Sequence, residues 1–303
     1  MGGVPQPFPY QGSKRRLARQ IISCIPHGTE RLIEPFAGSA AITLATAHLS
    51  RARRFFLNDA HEPLVALWRK IVNEPEELAG QYESLWLDQL GRERKYYDEV
   101  RERFNRSNEP HLFLYLLARC VKAAIRYNAN GEFNNSPDNR RLGMRPATME
   151  RNIKHVSALL RNRVRIACRD YREILAEATE DDLVYMDPPY QGVCGTRDHR
   201  YRRGVGYDSF VLSLNDLNRR GVPFIVSYDG RTGDKVHGRT LPAELDLLCL
   251  ELEVGRSTQA TLLGRQDATV ESLYLSSVLL TRLGGVPDCL MDDREPSLFA
   301  NHE

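Results

Sequence analysis

Asp187-Pro188-Pro189-Tyr190 closes the apolar run Leu183-Val184-Tyr185-Met186 and opens into a loop bearing a glycine. These residue types suit one task, gripping an exocyclic amino group. The lone pair of an aromatic amine is drawn into its ring, so the nitrogen attacks poorly until something polarises it. The Asp187 carboxylate and the Pro188 carbonyl can accept hydrogen bonds from the two N–H groups and push electron density outward toward an electrophile. Two consecutive prolines fix φ and pre-aim those acceptors. Tyr190 offers a ring face on which an extruded base can stack. Read alone, Pro-Pro after a strand is equally a stiff turn, and the rest of the chain decides between the two.

A second segment, Glu34-Pro35-Phe36-Ala37-Gly38-Ser39-Ala40, ends a strand and enters a helix. Gly38 lets the backbone approach a ligand closely, and the helix start presents unpaired N–H groups. Asp59 ends the next strand 21 residues after Gly38, the distance at which an acidic residue reaches ribose hydroxyls in such folds. The lone glycine departs from the fingerprint G-x-G-x-x-G, which counts against a nicotinamide cofactor and favours a nucleoside cofactor without a pyrophosphate. Pro9-Tyr10-Gln11-Gly12-Ser13-Lys14 precedes a helix, and Cys168-Arg169-Asp170-Tyr171 ends another strand. Both also have a plain structural reading, a capping turn with a solvated Lys14 and a helix N-cap at Asp170.

The elements that must position these residues are visible in the apolar spacing. Residues 31–36 and 54–59 read as strands and 40–49 as the helix between them, a β-α-β unit that predicts a parallel sheet. From 62 to 160 the spacing turns helical, as in Leu64, Val65, Leu67, Trp68, Ile71 and Val72. Inside that block, residues 127–140 are dense in turn formers and predict an exposed loop or hairpin. Strands return at 164–168, 183–187, 224–228, 247–254 and 271–277. The expected fold is α/β with a helical block inserted into the sheet domain. Residues 1–61 and 161–282 form the two parts of that sheet domain, 62–160 the helical insertion, and 283–303 a polar tail.

A chain of 303 residues buries an adequate core without disulfides. Its six cysteines are scattered with no C-x-x-C pair, which predicts reduced thiols and no zinc site. The most apolar stretch, 112–125, is too short to span a bilayer and carries Arg119 and Lys122. The N-terminus lacks the plan of a signal peptide. A soluble cytoplasmic protein with neither membrane nor metal partner is expected. The net charge of +2 conceals basic runs at 14–19, 51–54, 161–165 and 197–203, expected to share one phosphate-facing side.

Together these segments resemble the DNA N6-adenine methyltransferases of the DNA adenine methylase type. In that alpha-ordered group a lysine motif, a Phe-x-Gly cofactor loop, a recognition insertion and Asp-Pro-Pro-Tyr follow in this order. The resemblance covers residues 7–280. It implies a Rossmann-like S-adenosylmethionine-dependent methyltransferase sheet with a helical DNA-recognition insertion. The implied reaction is methyl transfer from S-adenosylmethionine to adenine N6 in double-stranded DNA by base flipping. Carried over residue by residue, it puts Tyr10, Lys14, Phe36, Gly38, Ser39, Asp59, Asp170 and Tyr171 at the cofactor. Asp187, Pro188, Pro189 and Tyr190 form the catalytic loop, and Arg126, Asn128, Asn130, Arg145 and Arg197 face DNA. Tyr10 stands where the family often has Trp, and Ser39 where it often has Gly. The strand 224–228 with Asp229 resembles the wall of the target-base pocket, and Gly255-Arg256-Ser257 a short basic motif. The run 195–203 is expected to order over base and backbone. A cognate restriction endonuclease is a protein partner the resemblance admits.

Other amino acceptors compete: cytosine N4, RNA adenine and a protein glutamine amide. Asp rather than Ser or Asn at position 187, with the recognition insertion ahead of it, favours DNA adenine. A non-catalytic DNA-binding protein of the same fold is the alternative from another class. Against it stands a chemically competent residue at every catalytic position.

Overall fold

The computed structural model describes residues 3–189, 205–232, 235–256 and 268–287. Strands β1 (Thr29–Glu34), β2 (Ala52–Asn58), β3 (Val164–Ala167), β4 (Asp182–Met186) and β5 (Phe224–Thr232) pair in parallel. Strands β6 (Lys235–His237), β7 (Leu247–Arg256) and β8 (Ala268–Ser276) add antiparallel pairings. The sheet runs β3-β2-β1-β4-β5-β8-β7, with β6 on β5. Strand order reverses between β1 and β4. The chain therefore leaves the C-terminal ends of these two neighbours in opposite directions and opens the crevice in which open α/β sheets take ligands. Leu32 pairs with Leu183 and Ile33 with Val184, which brings the turns after Glu34 and Met186 to the same edge.

Alternation with period two assigns the two faces of the sheet. Leu32, Phe55, Leu57, Leu183, Tyr185, Ile225, Leu273 and Leu275 point to one side, and Ile33, Phe56, Val184, Met186, Phe224, Val226 and Tyr274 to the other. The first face lies under a 3-10 turn (Lys14–Leu17), α1 (Ala18–Ser23), α2 (Ala41–His48) and the insertion helices. These are α3 (Glu62–Asn73), α4 (Pro75–Asp88), α5 (Glu93–Ser107), α6 (Pro110–Arg119) and α7 (Pro146–Leu160). Helices α8 (Tyr171–Glu177) and α9 (Tyr207–Arg219) cover the second face, and α10 (Ser277–Leu283) follows β8. Phe104, Phe113 and Leu116 of the insertion belong to the same buried cluster as Leu32 and Leu275 of the sheet. Each such fully buried side chain contributes about 1.5–3 kcal/mol, so the insertion is fixed to the sheet by a shared core.

Residues 127–140 project from that core as a hairpin-like excursion, with bridges Tyr127↔Phe133 and Cys120↔Pro137. Its tip is an Asx turn in which Asn128 Oδ1 accepts the N–H groups of Asn130 (3.0 Å) and Glu132 (2.9 Å). Its root is Phe133, fully buried, whose N–H and carbonyl are both held by the Asn105 side chain.

The expectation of a single phosphate-facing side fails for two of the basic runs. β2 begins at Ala52 and β3 at Val164, so residues 51–54 and 161–165 mark the N-terminal edge of the sheet, opposite the turns that follow Asn58 and Met186. Their guanidinium groups serve the fold: Arg51 donates to the Ile25 carbonyl (3.0 Å), Arg163 to those of Ala52 (2.7 Å) and Arg53 (3.0 Å), and Arg165 pairs with Glu177 (2.7 Å). Arg15 of the first run donates to the carbonyls of Val4 and Pro5. The run 197–203 lies outside the described residues. Among the described residues, no helix is long and apolar enough to cross a membrane, and no group of three or more His, Cys, Asp or Glu side chains is placed to hold a metal.

Candidate active site

The turn from β1 into α2 forms one wall of the crevice. Gly38 sits at φ +49°, and a Cβ there would lie 3.1 Å from Tyr10 Cε1. Both the backbone conformation and the close Tyr10 ring therefore favour glycine. The Gly38 N–H donates to Asp59 Oδ2 (3.0 Å), its carbonyl accepts the Trp68 Nε1–H (2.9 Å), and Ser39 Oγ donates to Ser13 Oγ (2.8 Å). Tyr10, Ser13, Gly38, Ser39 and Asp59 thus make one cradle from three separate stretches of chain. Asp59 is 4% exposed, and its Oδ1 accepts the His61 N–H (2.9 Å). Burial raises its pKa, and the backbone donors oppose the rise.

α2 starts without a side-chain cap of its own, because Ala40 at φ 47° has nothing to offer. Glu34 fills the role from the end of β1, Oε1 accepting the Thr43 N–H at 3.2 Å. Its Oε2 is buried without a hydrogen-bond partner. Burial pushes the Glu34 carboxyl up to about 8; the Thr43 hydrogen bonds oppose this and the Asp187 charge adds to it.

Asp187 leaves β4 on the other side of the crevice. Lys14, only 8% exposed, pairs with Asp187 Oδ1 at 2.9 Å and approaches Glu271 Oε2 on β8 at 3.3 Å. The second distance lies within ion-pair range, yet Glu271 Oε2 makes no hydrogen bond, so the Asp187 contact is the tighter one. Stripping a buried ion of its partner costs about 3–5 kcal/mol, so Lys14 and Asp187 brace each other. Below them the Tyr185 hydroxyl bonds Ser227 Oγ at 2.9 Å, and burial raises the Tyr185 pKa.

On the opposite face of the sheet an aromatic row packs into the core. Phe36 and Tyr171 have ring centroids 5.1 Å apart, and Phe210 stacks on Tyr228 at 5.4 Å. Asp170 caps α8, Oδ1 accepting the Arg172 N–H at 2.9 Å while the Arg172 guanidinium takes both carboxylate oxygens (2.8 and 2.9 Å). Its plain structural reading therefore holds, at a position that also borders the crevice.

The structure gathers Tyr10, Lys14, Phe36, Gly38, Ser39, Asp59, Asp170, Tyr171, Asp187, Pro188 and Pro189 around the C-terminal ends of β1 to β4. Tyr190 and Arg197 lie outside the described residues. Arg126, Asn130 and Arg145 are exposed on the insertion, with Arg145 just before α7. Asn128 spends its side chain inside the hairpin, its Nδ2 donating to Glu132 Oε2 at 2.8 Å. Sequence reasoning missed Glu34, His61, Phe210 and Glu271. The first two flank motif residues and were open to suspicion. Glu271 gave no local signal, because only the pairing of β8 with β5 brings it to Lys14.

A Rossmann-like α/β sheet with an Asp-Pro-Pro turn at its switch point is the architecture of a methyltransferase. The chain matches the family model for D12 class N6 adenine-specific DNA methyltransferases over residues 10–247 and belongs to that family. It is 31% identical over 191 residues to the DNA adenine methylase of Serratia marcescens, covering 62% of this chain and 67% of that protein. The retron Ec67 DNA adenine methylase of Escherichia coli is 31% identical over 189 residues, covering 60% of this chain and 62% of its own length. The DNA N-6-adenine-methyltransferase of Escherichia phage P1 is 26% identical over 235 residues, covering 74% of this chain and 29% of its own length. The chain thus spans about two thirds or less of these relatives.

Proposed function

We propose that this chain transfers the methyl group of S-adenosylmethionine to N6 of an adenine turned out of double-stranded DNA. The observation that carries this reading is the meeting, at one sheet edge, of the Gly38–Asp59 cradle with a carboxylate already holding a cation at hydrogen-bond distance. The residues suit the cofactor: Gly38 lets the backbone turn tightly against Tyr10, Asp59 is a buried acid fit for ribose hydroxyls, and Phe36 with Tyr171 offers apolar rings for an adenine. Tyr10 and Ser39 border the same cradle, and Asp170 stands at its rim. When bound, the cofactor supplies a sulfonium methyl that is already activated for displacement.

The protein's part is then placement. Asp187 and the Pro188 carbonyl accept hydrogen bonds from the two N–H groups of the target amine and aim its lone pair. Pro189 keeps the turn rigid, and Tyr190 gives the extruded ring a face to stack on. Arg126, Asn130 and Arg145, with Arg197 beyond the described residues, contact the duplex, and Asn128 shapes the hairpin that carries Asn130 and directly follows Arg126. Phosphate contacts make affinity fall steeply with salt, while Asn and Arg side chains suit adenine and guanine edges. The place of action is the cytoplasm, where the thiols stay reduced.

Long-read sequencing of plasmid DNA from cells expressing the chain tests the reading. N6-methyladenine in one sequence context is expected. Cytosine N4 methylation, or unmodified DNA, would overturn it.

A further inference from the structure

We infer that Glu271 is a positioning residue for methyl transfer: it offers the Lys14 ammonium a second seat, so that Asp187 is released to hold the target amine. The inference rests on the reading of Asp187 as the amine's acceptor.

Sheet order brings a second carboxylate to Lys14, since β8 lies two strands from β4 with β5 between them. The pairing is irregular at this height. Tyr228 faces Ser272, but the next partners are Gly230 and Glu271, leaving Asp229 as the extra residue of a β-bulge at φ 49°. Gly230 allows the close approach, for a Cβ there would fall 2.5 Å from the Val270 carbonyl oxygen. Glu271 alternates with Leu273 and Leu275, so it faces the side that the Lys14 turn covers.

One ammonium stands between two carboxylates, at 2.9 Å from Asp187 and 3.3 Å from Glu271. The nearer contact occupies Asp187 Oδ1, an oxygen an incoming amine competes for. Lys14 is too buried to exchange Asp187 for water, and an ammonium moved away without a new partner would be an uncompensated buried charge. Glu271 Oε2 lies within reach and has no hydrogen bond of its own. A small shift of Lys14 toward it frees Asp187 at little cost, and no proton need move.

The test compares Glu271→Gln and Glu271→Asp with the wild type in single-turnover transfer of tritiated methyl to a duplex carrying the methylated motif. Duplex and S-adenosylhomocysteine affinities are measured alongside. Glu271→Gln is expected to slow the transfer step roughly tenfold to a hundredfold with both affinities within about twofold, and Glu271→Asp to recover most of the rate because it keeps the charge. A wild-type rate in Glu271→Gln, equal slowing by both variants, or a loss confined to binding would each overturn the inference. Failure of the underlying reading shows differently, as undiminished transfer by Asp187→Ala.

Discussion

The His61 ring reaches the Tyr127 hydroxyl, with Nε2 2.6 Å from the oxygen. The Leu64 N–H donates to Nδ1 at 3.2 Å, so Nδ1 carries the lone pair and Nε2 carries the proton given to Tyr127. His61 also gives its backbone N–H to Asp59. One residue therefore caps α3, holds the proposed ribose acid and ties down the start of the 127–140 hairpin. Tyr127→Phe keeps the ring against Phe133 and removes only the acceptor. It should cost about 1 kcal/mol in urea unfolding and weaken duplex binding more than cofactor binding in parallel titrations. Equal losses for both ligands would deny His61 this linking role.

Asp187→Ala should lower methyl transfer by at least about a hundredfold while leaving duplex affinity largely intact. The ammonium of Lys14 still has Glu271 beside it, so the fold should survive, as circular dichroism would show. Near-normal turnover would remove Asp187 from its role.

Asp59→Ala strips two backbone N–H groups of their acceptor, those of Gly38 and His61. Cofactor affinity in calorimetry should drop by about 1.5–3 kcal/mol. An unchanged affinity would count against the ribose contact.

Glu34 gives a pH prediction. Its folded pKa stands at about 8 against an ordinary 4.5, chiefly through burial. Between those values the folded chain holds a proton that the unfolded chain has released, so this group's contribution is full below 4.5 and is lost as pH rises to about 8. Melting temperatures of Glu34→Gln and wild type, compared across that window, should diverge in favour of the variant as pH rises. Parallel curves would refute the assignment.

Arg126→Ala should weaken binding across sequences and lower the salt slope by about one. Asn128→Ala should instead loosen the turn that its Oδ1 holds, reducing stability by about 1 kcal/mol. A salt slope untouched by Arg126→Ala would take that arginine off the phosphate backbone.

Much of the fold was legible because its signals are local. The apolar runs at 54–59 and 183–187 matched β2 and β4 within two residues, since strands buried on both faces announce themselves by composition. The turn formers at 127–140 marked the hairpin for the same reason. Relations set by strand order were not legible. Arg51 and Arg163 read as a nucleic-acid surface until the sheet's direction put them at its far edge, and Glu271 looked like an ordinary strand residue. The short strand β6 carried too few residues to stand out.

Trp68 has a use that its packing hides. The indole is 1% exposed and its N–H rests on the Gly38 carbonyl at 2.9 Å, and the chain holds only two tryptophans. With Trp86 replaced by Phe, the emission of a single tryptophan would gauge occupancy of the proposed cofactor pocket, giving the protein an optical sensor without any attached dye.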